Sequence, residues 1–149
     1  MVRIRQSRIS DQERVLDIWR HAVDSTHHFL SVDDRRDIEI EVREFLPQVP
    51  LWLAVNDSDT PMGFMLLAGG HLEALFVDPL RHGVGIGRAL IKHALSISPN
   101  ITTDVNEQNS GALGFYVHMG FERIGHSQKD QQGRAYPIIR MRLARLVAH

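Results

Sequence analysis

Three glycines at alternate positions, Gly83, Gly85 and Gly87, follow an apolar run that stops at Pro79, and the chain then resumes as Arg88-Ala89-Leu90-Ile91-Lys92-His93-Ala94-Leu95. This pattern predicts a strand, a tight loop and a helix beginning near Gly85. Glycines lack a Cβ, so such a loop can turn sharply and bring its backbone close to a ligand. The first N–H groups of the helix point into the loop with the positive end of the helix dipole behind them, an arrangement that binds phosphate. Two phosphate loops are excluded by spacing. A Walker A loop needs Gly-Lys, which the chain lacks, and G-x-G-x-x-G needs glycine where Arg88 or Leu90 stands. Taken alone, the three glycines fit a plain strand-to-helix turn equally well.

A second stretch narrows the choice. Residues 109–121, Asn-Ser-Gly-Ala-Leu-Gly-Phe-Tyr-Val-His-Met-Gly-Phe, read as a helix capped by Asn109 or Ser110 and ended by Gly120. The two stretches together resemble the GNAT family of N-acetyltransferases. The first matches the family's acyl-CoA loop, Arg/Gln-x-x-Gly-x-Gly/Ala, when aligned on Gly85-Ile86-Gly87-Arg88-Ala89-Leu90, and Val77-Asp78-Pro79 looks like its V-x-P strand end. One position departs from the pattern: the Arg/Gln place holds His82, with Arg81 just before it. The second matches N-x-x-A-x-x-[LF]-Y-x-x-x-G-F, with Asn109, Ala112, Phe115, Tyr116, Gly120 and Phe121 in register. The resemblance runs from about Val2 to the end, the first 50 residues by element order alone.

The resemblance implies an α/β (mixed α+β) fold: a central mixed, mostly antiparallel sheet of six or seven strands flanked by about four helices, in one domain over residues 1–149. It implies acetyl-CoA as co-substrate and acetyl transfer to a primary amine, of a small molecule or a protein, by direct attack in a ternary complex. The pyrophosphate would lie on His82, Gly83, Val84, Gly85, Ile86, Gly87 and Arg88, and the pantetheine would pair with backbone near Phe76 and Val77. Asn106 and Asn109 would adjoin the cofactor, although Asn106 equally suits shaping a turn. Tyr116, about two helical turns or roughly 10 Å past the helix start, matches the family's general acid. A phenol can protonate a thiolate of pKa about 8.5.

An alkyl ammonium, pKa near 10.4, must lose a proton before its nitrogen can attack. Alternation along the strand before the glycines predicts His71, Glu73, Leu75 and Val77 on one face, so either His71 or Glu73 could take that proton. Glu73 suits a surface salt bridge as well. The competing reading is an acyl-CoA-binding sensor or interaction module on the same fold, for which His82 in the Arg/Gln position and the open choice of base leave room and against which Tyr116 argues.

Around these residues the chain must supply supporting elements. Ser10-Asp11-Gln12-Glu13 reads as a capping box before an amphipathic helix to about Asp24. His27, His28 and Phe29 follow in a polar break that borders the acceptor pocket in GNAT proteins, while Phe29 and Leu30 could instead staple the next helix. That helix, about Asp33 to Leu46, carries an acidic face that either draws a cationic acceptor or is simply solvated. Strands are predicted over 51–55, 62–68, 71–77 and 101–105, with two more from about Phe121 and about Tyr136 around the Asp130-Gln131-Gln132-Gly133 turn. The strand at 101 should run parallel to that at 71.

Composition agrees with one cytoplasmic domain of 149 residues, 43% hydrophobic and 23% charged. A net charge of −1 gives no general attraction to nucleic acid or to an anionic membrane, and no long apolar run suggests a signal or a span. The absence of cysteine excludes disulfides and an acyl-cysteine intermediate. Nine histidines include no metal-ligand spacing, so no metal is expected. A homodimer, which many GNAT proteins form, is compatible with the sequence.

Overall fold

Short runs of alternating apolar residues build a seven-stranded sheet in the computed structural model, which describes residues 2–81 and 84–146. The strands are β1 (Arg3–Gln6), β2 (Trp52–Val55), β3 (Pro61–Ala68), β4 (His71–Val77), β5 (Thr102–Asn106), β6 (Phe121–Ser127) and β7 (Ile138–Leu143). Their order is β1-β2-β3-β4-β5-β7-β6, and every neighbouring pair is antiparallel except β4 with β5. Four α-helices flank the sheet among the described residues: α1 (Gln12–Thr26), α2 (Val32–Phe45), α3 (Ile86–Ile97) and α4 (Ser110–Met119). None of them is long and apolar enough to cross a membrane.

Successive side chains of a strand point to opposite faces, and the two cores divide accordingly. Leu53, Val55 and Phe64 join Val15, Ile18, Trp19 and Val23 of α1 on one face. Ala54 and Met65 join Ile86, Leu90, Ile91 and Ala94 of α3, with Tyr116 and Met119 of α4, on the other. Each fully buried Leu or Ile contributes about 1.5–3 kcal/mol relative to exposure, so these stripes hold both helix layers against the sheet.

Two expectations are corrected. Ser10 does not cap α1. Instead Asp11 turns back to accept from the Arg8 N–H at 2.7 Å, closing a 3-10 turn over Ile9–Asp11, and both its oxygens take the Arg5 guanidinium at 2.8 and 3.0 Å. The stronger, charge-assisted partner displaces the serine cap.

The second correction concerns β4. Leu66 pairs with Ala74 and Leu67 with Leu72, so Glu73 is an extra residue, a β-bulge. Directly paired residues share a face. His71, opposite Ala68, therefore lies on the α1 side of the sheet, while Leu75 and Val77 lie on the α3 side and pack into that core. The strict alternation that put His71, Glu73, Leu75 and Val77 together fails because one inserted residue inverts the pattern beyond it.

Candidate active site

The parallel pair β4–β5 holds for only two rungs, His71 opposite Thr102 and Leu72 opposite Thr103. Beyond Leu72 the strands part. β5 stays paired with β7 as far as Asn106, whereas β4 keeps only its β3 partner and leaves the backbone edge of Glu73–Val77 open. An open edge is a row of donors and acceptors ready for an extended ligand. At the last shared rung the Thr103 hydroxyl donates to the Leu72 carbonyl at 2.9 Å.

Tyr116 of α4 meets that same Thr103 side chain, which places its phenol at the fork. Its ring is 7% exposed and packs edge-on against Phe115 and Phe121, with centroids at 5.2 and 5.0 Å. Burial pushes the phenol up to about 12, against a smaller opposing effect of Thr103, so it is protonated at neutral pH.

β4 leads into the glycine loop. Gly85, in the left-handed region at φ 76°, is the N-cap of α3, and no side chain caps the first turn. Among the described residues Nη1 of Arg88 is buried with no hydrogen-bond partner, and a cation in the first turn of a helix opposes the dipole. An anion at this end would satisfy both the orphaned guanidinium N–H and the free amides, which is the fit a CoA pyrophosphate needs. His82 and Gly83 lie outside the described residues. Ile86 is fully buried in the core, while Val84 remains exposed beside the loop.

Two buried devices fix the loop. Asp78 is gripped by Arg14 of α1 at 2.6 Å, its other oxygen accepts the Leu80 N–H at 3.0 Å, and its own N–H donates to Met62 O at 2.8 Å. Burial raises its carboxyl, but the Arg14 and Leu80 bonds outweigh burial and hold it below the usual carboxylate range. Gly87 lies under Phe115 of α4: a Cβ there would sit 2.8 and 2.9 Å from ring carbons Cζ and Cε1. The two sequence motifs thus interlock. Gly87→Ala is expected to cost about 1–3 kcal/mol by overpacking. Denaturant unfolding of Gly87→Ala, Phe115→Leu and the double variant should reveal coupling of about 1 kcal/mol or more, the smaller side chain relieving the clash. Simple additivity would mean that the ring moves aside freely.

On the α1 side of the fork, His71 Nδ1 lies 2.7 Å from the Thr102 hydroxyl and its Nε2 3.5 Å from the Asp104 carboxylate. Arg140 binds Asp104 through two bonds, at 2.8 and 3.0 Å, and Gln131 donates to it at 2.8 Å. Burial works to raise the Asp104 carboxyl, but Arg140 foremost, with His71 and Gln131, holds it low. Exposed Glu73 adds a weaker pull on the same Arg140 guanidinium.

Above this group His27, Phe29, Phe76 and Tyr136 form an aromatic wall, with centroids 5.2 Å (His27–Phe29), 6.5 Å (His27–Phe76) and 6.0 Å (Phe29–Tyr136) apart. Burial pushes the His27 imidazole down to about 4, with a lesser contribution from His28. Thr26 spends its hydroxyl proton on Ala22 O at 2.7 Å, so its oxygen accepts from His27 Nδ1 at 2.7 Å and Nε2 is left as an acceptor. The Tyr136 hydroxyl donates to Asp34 at the start of α2 and accepts from the Ser31 N–H at 3.4 Å, tying the α1–α2 loop to the β6–β7 connection. His28 stands apart, exposed, with Nε2 against Ser25 O at 3.0 Å.

Of the two asparagines, Asn109 spends its side-chain oxygen capping α4 through the Ala112 N–H at 3.1 Å, and Asn106 uses its own on the Gln108 N–H at 2.9 Å. The acidic face of α2 is largely matched within the protein, with Glu39 taking Arg20, Arg35 and Arg43. Sequence reasoning did not find Asp104, Tyr136, Asp34 or the Arg14–Asp78 pair. Only Asp104 left a trace: an acid inside β-branched Ile-Thr-Thr-Asp-Val, out of phase with buried Thr103 and Val105.

The family described as acetyltransferase (GNAT) domain matches residues 31–144. The chain is 50% identical over 141 residues to peptidyl-lysine N-acetyltransferase YjaB of Salmonella typhimurium, covering 95% of this chain and 97% of that one. Identity is also 50% to the Escherichia coli K12 protein of the same name, over 95% and 96% of the two chains. Among solved structures, the solution structure of apo-form YjaB from Escherichia coli superposes with a TM-score of 0.93 at 49% identity, over 97% of this chain and 98% of that one. A paia N-acetyltransferase from Thermoplasma acidophilum in complex with coenzyme A shares the fold, with a TM-score of 0.76 at 22% identity over 94% and 98%.

Proposed function

Because the chain belongs to the GNAT acetyltransferase family, and because β4 parts from β5 beside Tyr116, we propose that it transfers the acetyl group of acetyl-CoA to the ε-amine of a lysine in a protein or peptide. The fork carries this reading, since an open strand edge lies there with a candidate acid, Tyr116, beside it and the candidate bases, His71 and Glu73, on β4. The names of the relatives that share half of its sequence support lysine as the acceptor.

Acetyl-CoA supplies an acetyl group already activated as a thioester. The backbone of Glu73–Val77, with Phe76 and Val77 at its outer end, would pair with the pantetheine as an added strand. Amides at Val84–Gly87 and the Arg88 guanidinium would hold the pyrophosphate, and the Asn106 carboxamide would steady the arm beside it. The Tyr116 phenol donates its proton to the departing sulfur. His71, oriented by Thr102 and Asp104, or Glu73 on the bulge, takes the proton of the incoming ammonium. Attack is direct, because the chain has no cysteine to carry the acyl group. His27, Phe29, Phe76 and Tyr136 line the approach, a wall suited to the apolar stem of lysine, and uncharged His27 puts no positive charge in the path of the ammonium.

Calorimetric titration with acetyl-CoA, CoA and ATP, followed by thiol release with a lysine peptide and its arginine counterpart, tests the proposal. Expected are binding of acetyl-CoA and CoA in the micromolar range without ATP, and thiol release with the lysine peptide alone. Either His71→Gln or Glu73→Gln should lower kcat by about 10²-fold, which identifies the base. Turnover of free polyamines but not of peptides would overturn the acceptor, and failure to bind any acyl-CoA would overturn the whole reading.

A further inference from the structure

We infer that Lys129 is an acceptor for the protein's own acetyl transfer, an inference that rests on the chain acting as a lysine acetyltransferase. Of its seventeen basic side chains only Lys92 and Lys129 are lysines, and the other fifteen are arginines. A guanidinium stays protonated throughout the accessible pH range, so it gives no neutral nitrogen to an acetyl donor; an ammonium can. The chain therefore exposes two side chains to self-modification.

Those two lie on different sides of the sheet. Lys92 is exposed on α3, which packs against the face holding Leu90, Ile91 and Met65. Lys129 follows β6 in the connection to β7 and is exposed, its carbonyl accepting from the Ser127 hydroxyl at 2.8 Å. With Asp104, His126, Gln131 and Arg140 it lines a cleft of about 360 Å³. Asp104 is the carboxylate 3.5 Å from His71 Nε2, and Gln131, two residues beyond Lys129, is bonded to it at 2.8 Å. The connection carrying Lys129 is thus tied to the residue that touches the candidate base. Arg140 already occupies the Asp104 carboxylate, and among the described residues no ion pair holds the Lys129 ammonium away from the fork.

In the transfer His71 or Glu73 removes a proton from the ammonium and Nζ attacks the thioester carbonyl carbon. The C–N bond forms as the C–S bond breaks, the Tyr116 phenol gives its proton to the sulfur and is re-formed by the second proton that the acylated nitrogen sheds, the base passes its proton to solvent, and the products are Nε-acetyl-lysine and CoA. The cleft loses one positive charge beside Asp104 and Asp130.

Intact-mass analysis and peptide mapping of the full chain after incubation with acetyl-CoA test this, with a lysine peptide in the same mixture reporting transfer to an external acceptor. Wild type and Lys92→Arg should each gain one acetyl group, mapped to Lys129, with a first-order rate constant independent of protein concentration. Lys129→Arg should gain none while still acetylating the peptide. Acetylation at Lys92 instead, an unmodified chain in a mixture where the peptide is acetylated, or an apparent first-order rate constant that rises in proportion to protein concentration would each overturn the inference. If neither chain nor peptide is acetylated, the proposed activity itself fails.

Discussion

Replacing Tyr116 by Phe is expected to lower kcat by about 10²- to 10³-fold, within the range that a positioned general acid supplies, and to leave acetyl-CoA affinity within about twofold. The ring is a core residue held between Phe115 and Phe121, and phenylalanine keeps that packing. Only the hydroxyl at the fork is lost. Thr103 still donates to Leu72 O, so no buried donor is orphaned, and the stability change should stay within about 1 kcal/mol. A phenol raised to about 12 stays protonated well beyond neutral pH, so any alkaline limb in the wild-type rate profile is expected to originate in a group other than Tyr116. The same burial also penalises a departing thiolate, so donor and acceptor shift together. Stopped-flow or steady-state thiol release paired with calorimetry checks the result. Unchanged kcat would remove the acid assignment, and a tenfold weaker Kd would make Tyr116 a binding residue instead.

Arg14→Ala should be the most destabilising single change at the loop. It leaves the Asp78 carboxylate, 6% exposed, without its cation, and breaking a buried pair in this way costs about 3–5 kcal/mol. Arg14 is itself 28% exposed, which favours the lower end, about 3 kcal/mol. For a chain of this length that corresponds to a fall in Tm of roughly 6–12 °C. In wild type the folded Asp78 pKa is depressed, so the pair stabilises fully above the ordinary carboxylate range and its contribution is lost as pH falls through the folded value. In the variant, burial is opposed mainly by the Leu80 N–H, so the pKa rises relative to wild type, and the penalty is greatest at neutral pH and shrinks as Asp78 protonates. Urea unfolding of both proteins at pH 7 and pH 4 should therefore show a difference that narrows at the lower pH. A difference independent of pH would mean that lost packing of the Arg14 stem, rather than the stranded charge, explains the effect. Because Asp78 also holds the turn through Leu80 and Met62, weaker acetyl-CoA binding should accompany the loss.

The sequence by itself determined the elements and the family. Helix and strand periods, the glycines around Gly85 and the Asn109-to-Phe121 motif are local patterns, and their order is enough to expect six or seven strands and about four helices, of which the fold shows seven and four. A cap at Asn109 or Ser110 and the Asp130–Gly133 turn needed nothing more, because backbone geometry over a few residues decides them, and the parallel run of β5 with β4 followed from the strand–helix–strand crossover. The tertiary structure alone decided what meets what. A bulge is the choice between two registers, settled by which apolar side chains reach a core, and no window of β4 reveals that Glu73 is the inserted residue. The start of α1 forgoes the serine cap because Asp11 binds the Arg5 guanidinium of β1 and the Arg8 N–H instead. Asp104 beside His71, Tyr136 against Asp34 and Arg14 on Asp78 join residues 33, 102 and 64 positions apart. Such long-range pairs leave no periodicity in the chain, since their geometry exists only once the sheet has brought the segments together.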